Sequence, residues 1–297
     1  MTRVGPPTLS CGALSLVLAP EAGGSIARLD YADGSGNQIP VLCGRGPESD
    51  GALAQASFPL VPYSNRIREG RFTFRGREVR IARNMESDPS PLHGQGWLAR
   101  WQVVRIGETE AELLFVHPAG EWPWSYEARQ VFAIDEAGLT VVLTCTNSSD
   151  GPMPCGLGQH PYFPCTAETV LDAEVESVWT IDDKVLPVEK LPAEGRYNLR
   201  NRRVAGQDLD NGFGGWGGRA TVEDPSLPFR ITMSSPDADF FQLYSPPSGE
   251  LFVIEPVSHA NAALNEPEEA WAELGLKVLE PGETMSLTMR LDVAPVQ

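Results

Sequence analysis

The sequence predicts an all-β protein, and three observations support this fold class. Apolar and polar residues alternate with a period of two in many short runs along the 297 residues. Turn-forming residues separate these runs, since the chain holds 29 Gly and 26 Pro but no low-complexity tract. Only residues 260–276 are rich in Ala and Glu, and Pro267 limits any helix there to a turn or two. Many short strands at such spacing build a β-sandwich or a β-barrel.

The strongest alternating runs occur as consecutive pairs, which predicts β-hairpins. Each pair flanks a short polar segment that can turn. The predicted pairs are 71–75 with 78–82, 101–106 with 110–117, and 126–134 with 139–147. Later runs, also strand-like, are 229–233, 240–244, 251–255 and 285–293.

Two other segments need a separate argument. Residues 9–19 could be mistaken for a signal sequence, but prolines precede them and no small-residue cleavage site follows, so we assign them to the first strand. Residues 192–218 are irregular, which favours a long functional loop. No Gly/Ser-rich or Pro-rich linker divides the chain. We therefore predict one domain over residues 1–297, with few and short helices.

Charge and cysteine content narrow the possible partners and compartments. With 40 acidic and 23 basic residues the formal net charge is −17, which disfavours binding to nucleic acid or to an anionic membrane surface. No apolar run approaches the ~18 residues that a membrane span needs. The five cysteines lack the paired spacing of a zinc site, which predicts reduced, mostly buried thiols. These features predict a cytoplasmic protein without a nucleic-acid or membrane partner.

Histidine is the side chain that most readily exchanges protons near neutral pH, and this chain has few. His93 and His160 lie in segments bounded by glycine and close to aromatic residues. His117 ends an alternating run before Pro118, and we expect it to be a structural or surface group. The four histidines are His93, His117, His160 and His259.

Two charged residues occur where the surrounding sequence is apolar. Glu255 ends the most apolar predicted strand, where burial would favour its neutral form unless donors or a cation hold it ionised. Arg66 follows a segment rich in apolar residues and proline, which indicates a fixed hydrogen-bond donor. A structural ion pair is the alternative for both residues.

Two histidines and a carboxylate also suggest a metal site in a β-barrel. Such sites generally place two ligands two residues apart on one strand. Here Gln95 follows His93 at that offset and Tyr162 follows His160. The spacing therefore argues against a metal site.

Five motifs, in this order, resemble the aldose 1-epimerases, the galactose mutarotase family. The resemblance spans most of the chain, from about residue 20 to the C-terminal strand. Each motif alone is weakly specific, but five in order are strong. The motifs are NRIREGRFTFRG (65–76), LHGQGW (92–97), GQHPYF (158–163), LDNGF (209–213) and IEPVSHANAALN (254–265).

The resemblance implies a large antiparallel β-sandwich of the galactose mutarotase-like type with a carbohydrate in an open cleft. It implies interconversion of the α and β anomers of a free hexose, such as galactose or glucose, without cofactor or metal. By motif, His160 corresponds to the general acid and Glu255 to the general base. Arg66 and His93 correspond to sugar-binding groups that orient the ring, and Asp210 is expected to accept a hydrogen bond from a ring hydroxyl.

Two further residues complete the predicted substrate-binding set. Asn65 belongs to the same motif as Arg66, and Tyr162 could offer an apolar ring face to the sugar. Trp97 and Phe163 could do the same, although Phe163 is at least as well explained as a core residue.

The chemistry of the residues supports the resemblance independently. Opening a hemiacetal ring requires one proton to leave the anomeric hydroxyl while another reaches the ring oxygen. A carboxylate and an imidazolium on opposite sides of the C1–O5 unit meet that need at neutral pH. We expect Arg66 to hold the glutamate ionised and to lower the rising limb of a bell-shaped pH profile.

Alternatives remain open at this point. An epimerase for a phosphorylated hexose would need further cations in the cleft, and Arg68, Arg71 and Arg75 are available by sequence. A glycoside hydrolase would use two carboxylates, for which Asp210 and Glu255 could serve. A non-catalytic carbohydrate-binding sandwich has no need of a matched acid and base. The partner is in each case a small carbohydrate, and we expect a monomer or a homodimer.

The preferred sugar is left open by departures from the family pattern. Gln159 and Pro164 flank the HPYF segment where we expect other residues, and the segment after Asp210 ends in an unusual run of glycines.

Overall fold

The chain folds into β-strands joined by turns, as the computed structural model shows for residues 5–44 and 51–296. The described residues form 25 strands and contain no α-helix, which confirms the predicted all-β class. Six short 3-10 helices lie between strands: Gly51–Ala54, Arg68–Gly70, Gly96–Leu98, Gly195–Tyr197, Ala263–Asn265 and Glu268–Ala270.

The strands are short and follow one another closely along the chain. Those of the first half are β1 (Thr8–Cys11), β2 (Leu14–Ala19), β3 (Ser25–Ala32), β4 (Gln38–Leu42), β5 (Pro59–Leu60), β6 (Arg71–Phe74), β7 (Arg77–Arg80), β8 (Gln102–Ile106), β9 (Glu110–His117), β10 (Tyr126–Asp135), β11 (Gly138–Asn147) and β12 (Met153–Cys155). Those of the second half are β13 (Gly158–Gln159), β14 (Tyr162–Pro164), β15 (Val170–Ala173), β16 (Ser177–Ile181), β17 (Pro187–Pro192), β18 (Arg202–Arg203), β19 (Leu209–Gly214), β20 (Arg219–Glu223), β21 (Phe229–Ser234), β22 (Phe240–Ser245), β23 (Leu251–Val257), β24 (Lys277–Leu279) and β25 (Thr284–Pro295).

Two large sheets dominate the architecture. A nine-stranded sheet has the order β18-β15-β20-β21-β25-β11-β10-β9-β8. An eight-stranded sheet has the order β17-β16-β19-β22-β23-β13-β5, with β14 also paired to β23. A four-stranded sheet (β1 to β4) and two small pairs (β6 with β7, β12 with β24) complete the fold. Pairing between these strands is antiparallel throughout.

The core lies between the two large sheets. On β10 and β25 every second residue is buried, because alternate side chains of a strand point to opposite faces of the sheet. Residues from both sheets, such as Leu287 of β25 and Ile254 of β23, belong to one buried apolar cluster. Strand β23 is buried over almost its whole length, because both of its faces are covered. A carboxylate on this strand is therefore removed from bulk water.

The predicted hairpins and later strands are observed within about two residues of their expected ends. Residues 260–276 contain two 3-10 turns, as predicted. None of the five cysteines is disulfide-bonded, and two of them are fully buried. Within the described ranges, no helix is both long enough and apolar enough to cross a membrane.

Two assignments from the sequence were wrong. Residues 9–19 do not form one strand, because a turn with Gly12 in the left-handed region (φ +57°) divides them between β1 and β2. Residues 192–218 are not one loop, since they contain the short β18 and the six-residue β19. Strand β19 was missed because Asp, Asn and Gly are poor strand formers, and its pairing with β22 overrides that preference.

Candidate active site

All seven site residues predicted from the sequence line one cavity of about 180 Å³. The cavity lies against the eight-stranded sheet, beside β23. Of its described lining residues, the predicted ones are Asn65, Arg66, His93, His160, Tyr162, Asp210 and Glu255, and the others are Leu53, Phe58, Met85, Leu92 and Tyr244.

Antiparallel register places His160 beside Glu255. On either side of this position, Gly158 pairs with Val257 and Tyr162 pairs with Val253. Residue 160 therefore lies opposite residue 255, although Pro161 interrupts the ladder between β13 and β14. His160 Nε2 and Glu255 Oε1 are 3.5 Å apart, and both side chains are at least nine-tenths buried. The two groups are neighbours on one face rather than opposed across an open cleft.

Burial favours the neutral form of the Glu255 carboxyl group. It raises the pKa of this carboxyl group well above its usual value, and the negative charge of Asp210 raises it further. The nearby Arg66 guanidinium lowers the pKa, as expected from the sequence, but this effect is smaller than that of burial. Glu255 Oε2 is buried and accepts no hydrogen bond from the part of the chain that the structure describes. Arg66 therefore acts on this pKa in the expected direction, but burial sets the net shift, and the pKa of Glu255 is raised rather than lowered.

Aromatic contacts hold the His160 ring. The ring stacks on Phe58 with centroids 4.4 Å apart and an interplanar angle of 18°. The centroid of the Tyr162 ring lies 4.7 Å from that of His160, and the His93 ring lies nearly perpendicular to it with centroids 5.5 Å apart. The His160 backbone N–H donates to the Phe58 carbonyl over 3.0 Å, which ties both residues to the same position along the sheet.

The Arg66 guanidinium is fixed by a carboxylate that the sequence did not single out. Arg66 Nε and Nη2 both lie 2.8 Å from Asp88 Oδ2, and Nη1 donates to Asn65 Oδ1 over 3.1 Å. Asp88 is buried, and its Oδ1 accepts the Ser90 N–H. The local Asp-x-Ser sequence is typical of a turn, but nothing in it indicates a contact with an arginine 22 residues earlier.

His93 is held as a neutral hydrogen-bond donor. Its backbone is left-handed (φ +59°), and its Nδ1 accepts the Asn65 N–H over 3.0 Å, which leaves the ring proton on Nε2. Burial lowers the pKa of His93 well below its usual value, and nearby His160 and Arg66 lower it further. The Asn84 side chain holds this segment through three hydrogen bonds to the backbone of Leu92 and Gly94.

Asp210 reaches the cavity from β19. Its Oδ1 accepts a hydrogen bond from Gln242 Nε2 over 2.8 Å, and Gln242 pairs in register with Glu255. Burial raises the pKa of Asp210, while Arg66 lowers it. The β19, β22 and β23 strands therefore bring both carboxylates to one end of the cavity. Tyr244, opposite Asp210 in register, also lines the cavity and was not predicted from the sequence.

Several residues considered from the sequence lie outside the cavity lining. Trp97 stacks behind Phe58 at 5.6 Å, and Phe163 is a core residue packed on Phe252. Arg68 and Arg71 line a separate surface cavity, and Arg75 lines another. Among residues 5–44 and 51–296, no group of three or more His, Cys, Asp or Glu side chains is arranged to hold a metal ion.

Comparison with known proteins agrees with this architecture. The family model for aldose 1-epimerase matches residues 8–292. The uncharacterized protein YphB of Escherichia coli strain K12 is 33% identical over 297 residues, covering 96% of this chain and 98% of that protein. A crystal structure of an E. coli K12 protein, described as a candidate aldose 1-epimerase, has a TM-score of 0.88 at 32% identity and covers 98% of this chain and 99% of that one. A galactose mutarotase-like protein of Clostridium acetobutylicum has a TM-score of 0.83 at 18% identity, covering 97% of this chain and 95% of that one, which shows the shared fold.

The fold and the cavity define a galactose mutarotase-like β-sandwich with a small polar site against its eight-stranded sheet. The chain belongs to the aldose 1-epimerase family, because the family model matches it over almost its whole length.

Proposed function

We propose that the protein is an aldose 1-epimerase that interconverts the α and β anomers of a free hexose such as galactose or glucose. One observation carries the proposal. A buried carboxylate and an imidazole, Glu255 and His160, lie 3.5 Å apart at the wall of a cavity of about 180 Å³. A matched base and acid are what ring opening requires, whereas a binding protein needs only hydroxyl partners.

The reaction follows from the placement of this pair. Glu255 takes the proton from the anomeric hydroxyl, and His160 gives a proton to the ring oxygen as the C1–O5 bond breaks. Because both oxygens are bonded to C1, a neighbouring acid and base can reach them together. Rotation about the C1–C2 bond then turns the aldehyde over. As the ring closes on the other face, His160 takes its proton back from the O5 hydroxyl, and Glu255 returns its proton to the aldehyde oxygen. No net oxidation or hydrolysis occurs.

The raised pKa of Glu255 suits the role of base. Once ionised, a carboxylate with a raised pKa binds a proton more strongly than an ordinary glutamate does. Arg66 and Asp210 act on this pKa in opposite directions, so the cleft charges tune the base. The aromatic contacts of His160 hold the imidazole beside Glu255, where it can give its proton to the ring oxygen.

The remaining lining groups hold the sugar. His93 can donate from Nε2 to a hydroxyl, Arg66 donates from its guanidinium, and Asp210 accepts from a hydroxyl. Asn65 supplies a further polar group, and Tyr162 presents an aromatic ring to the C–H surface of the sugar. Holding the open chain keeps the aldehyde close to the attacking hydroxyl during ring closure.

A free sugar fits this site better than a phosphorylated one. Arg66 is the one Lys or Arg among the described lining residues, and Asp88 already pairs with it. A phosphate group carries up to two negative charges and would meet two carboxylates, Asp210 and Glu255, in the same cavity. We therefore propose a neutral monosaccharide as the substrate class.

We also propose one domain over residues 1–297, a cytoplasmic location, and a monomer or homodimer without a nucleic-acid partner. The net charge of −17 supports the absence of a polyanionic partner. We propose that catalysis uses side chains without cofactor or metal.

Polarimetry tests the proposal directly. Freshly dissolved α-galactose and α-glucose should lose optical rotation faster with the protein than with buffer alone. The Glu255→Gln variant keeps the shape of the side chain but removes the base. Its rate in excess of buffer should fall to about one percent of the wild-type excess or less. If the protein accelerated the mutarotation of glucose 6-phosphate but of neither free sugar, the substrate class would be a phosphorylated hexose. If it accelerated the mutarotation of none of the three, the proposed function would be rejected.

Dialysis against EDTA tests whether catalysis depends on a bound metal ion. The excess mutarotation rate should be unchanged, because the proposed steps use only side-chain protons. A loss of activity that one divalent ion restores would contradict the metal-free mechanism.

A further inference from the structure

The segment that carries Arg66 has one isolated backbone bridge, to Leu92, and side chains accept the hydrogen bonds of its other backbone N–H groups. We call residues 64–66 the arginine arm. Its three consecutive backbone N–H groups each donate to a side-chain acceptor. The acceptors are His259 Nε2 for Ser64 (3.0 Å), His93 Nδ1 for Asn65 (3.0 Å) and Asn261 Oδ1 for Arg66 (3.2 Å). Loss of any acceptor leaves a buried or half-buried N–H without a partner.

His259 is locked in one neutral tautomer. Its Nδ1 lies 2.8 Å from its neighbour Ala260's carbonyl oxygen, so Nδ1 carries the proton, and Nε2 presents a lone pair to the Ser64 N–H. The ring is fully buried, and a Cβ atom at Gly156 would lie 2.0 Å from its Cδ2. Close packing against the Gly156 backbone therefore fixes the ring in position.

Neither His259 nor Asn261 lines the cavity that contains His160 and Glu255. Both belong to the motif IEPVSHANAALN, which begins with the strand that carries Glu255. The motif therefore continues from the proposed base directly into the two residues that hold the arginine arm. Asn261 is itself anchored, because its Nδ2 donates to the Val185 carbonyl over 2.9 Å.

We propose that His259 and Asn261 are positioning residues that hold the arginine arm, and through it Arg66, against the sugar site. The inference rests on the proposed function for its effect on catalysis. The strand of the base and the arm of the arginine are thereby joined into one rigid unit. The motif keeps Glu255 and Arg66 at a constant separation while the sugar ring opens and its C1–C2 bond rotates.

The direct test replaces His259 in two ways. His259→Gln retains an acceptor at the position of Nε2, whereas His259→Phe fills a similar volume without any acceptor. His259→Phe should raise KM about tenfold or more with a smaller fall in kcat, because Arg66 binds the sugar. His259→Gln should restore KM to within about threefold of the wild type. Equal KM values in all three proteins, or equal losses in both variants, would overturn the proposal.

A double-mutant cycle separates positioning from general destabilisation. If His259 acts through Arg66, His259→Phe should change kcat/KM less than about twofold in an Arg66→Ala background. The same loss in both backgrounds would show that His259 acts by another route. If His259→Phe does not fold, Asn261→Ala takes its place in the cycle, with the same expectation.

Asn265 provides the matched control. It bonds to the backbone of Arg68 and Arg71, just beyond the arginine arm, and it is partly buried. Asn265→Ala should leave KM within about twofold of the wild type, and a rise equal to that of Asn261→Ala would contradict a role specific to Arg66.

Hydrogen exchange gives a readout that does not depend on activity. Mass spectrometry of peptides covering residues 61–68 should show faster exchange in His259→Phe and Asn261→Ala, but not in His259→Gln. Faster exchange in a protein that mutarotates no sugar would reject the proposed function and keep the structural role of the two residues. Unchanged exchange would reject the positioning role, whatever the activity.

Discussion

The two halves of the proposed site are held by different kinds of structure. Glu255 lies on β23, and His160 lies between β13 and β14, which both pair with β23. Pairs on both sides therefore set the separation of the two residues. Arg66 and His93 lie on connecting segments, where Asn65 and His93 both have left-handed backbones. There, hydrogen bonds from the partly buried Asn84 and the buried Asp88 take the place of most strand pairing.

This difference has a consequence for substitution. The positions of the proposed acid and base are set by strand pairing around them, so substitutions of these residues should mainly remove chemistry. The positions of Arg66 and His93 depend on one isolated backbone bridge and a few side-chain bonds, so single changes behind them should loosen substrate binding. The acid and base are therefore expected to control kcat, and the loop-held groups are expected to control KM.

The largest effect is expected at the acid. His160→Gln retains a hydrogen-bonding amide but cannot release a proton, so kcat should fall by roughly 10² to 10⁴ while KM changes less. Polarimetric kcat and KM values, compared with the wild type, provide the check. His117→Gln is the matched control, because His117 is a buried histidine outside the site, and its kcat should stay within about twofold. Near-normal turnover of a folded His160→Gln protein would reject the role of His160.

The pH profile of kcat/KM should show the raised pKa of the proposed base, Glu255. Glu255 must be ionised in the free enzyme, so kcat/KM rises with pH through its pKa. Burial raises that pKa, which places the rising limb above the 4.5 of an ordinary glutamate. The falling limb reports loss of the acid's proton, and the two limbs belong to a coupled pair.

Rates corrected for buffer-catalysed mutarotation at each pH give this profile. A rising limb centred at or below pH 4.5 would show that Arg66 outweighs burial. A rate that climbs steadily through about pH 9 would point to hydroxide catalysis or a metal-bound base.

A smaller effect is expected from changing Asn84, which holds the segment around His93. Asn84→Ala removes three hydrogen bonds to the segment around His93, so KM should rise about five- to thirtyfold with less change in kcat. Asn37→Ala, which removes an exposed side-chain bond to Asp33, is the matched control and should leave KM unchanged. If Asn84→Ala lowered kcat alone, the division between sheet-held and loop-held groups would be wrong.

The smallest effect is expected at Asp210, which the sheet holds but which is proposed only to bind. Asp210→Asn can still accept the Gln242 bond, so KM should rise several-fold and the ranking among sugars epimeric at the contacted carbon should change. Removal of its charge should also lower the pKa of Glu255 and move the rising limb to lower pH. Loss of turnover with every sugar, as complete as in Glu255→Gln, would make Asp210 part of the proton-transfer machinery.

Local pattern was a good guide to the regular parts of the fold. The hairpins of β6 with β7 and β10 with β11 follow from alternation and turn residues close in sequence. The local pattern did not predict β19, because the residues of this strand favour turns and form a strand only by pairing with β22. The motifs identified seven residues that line one cavity, whereas the roles assigned to those residues stay predictions.

The sequence by itself determined the fold class, the hairpins and, through the resemblance, which side chains to examine. The tertiary structure decided that His160 lies opposite Glu255, that Asp88 pairs with Arg66, and that His259 supports the arginine arm. It also decided that burial outweighs the arginine in setting the pKa of Glu255. The physical reason is the same in each case. Register between distant strands, a hydrogen-bond partner and the loss of water around a charge all depend on residues far apart in the chain, which local patterns do not encode.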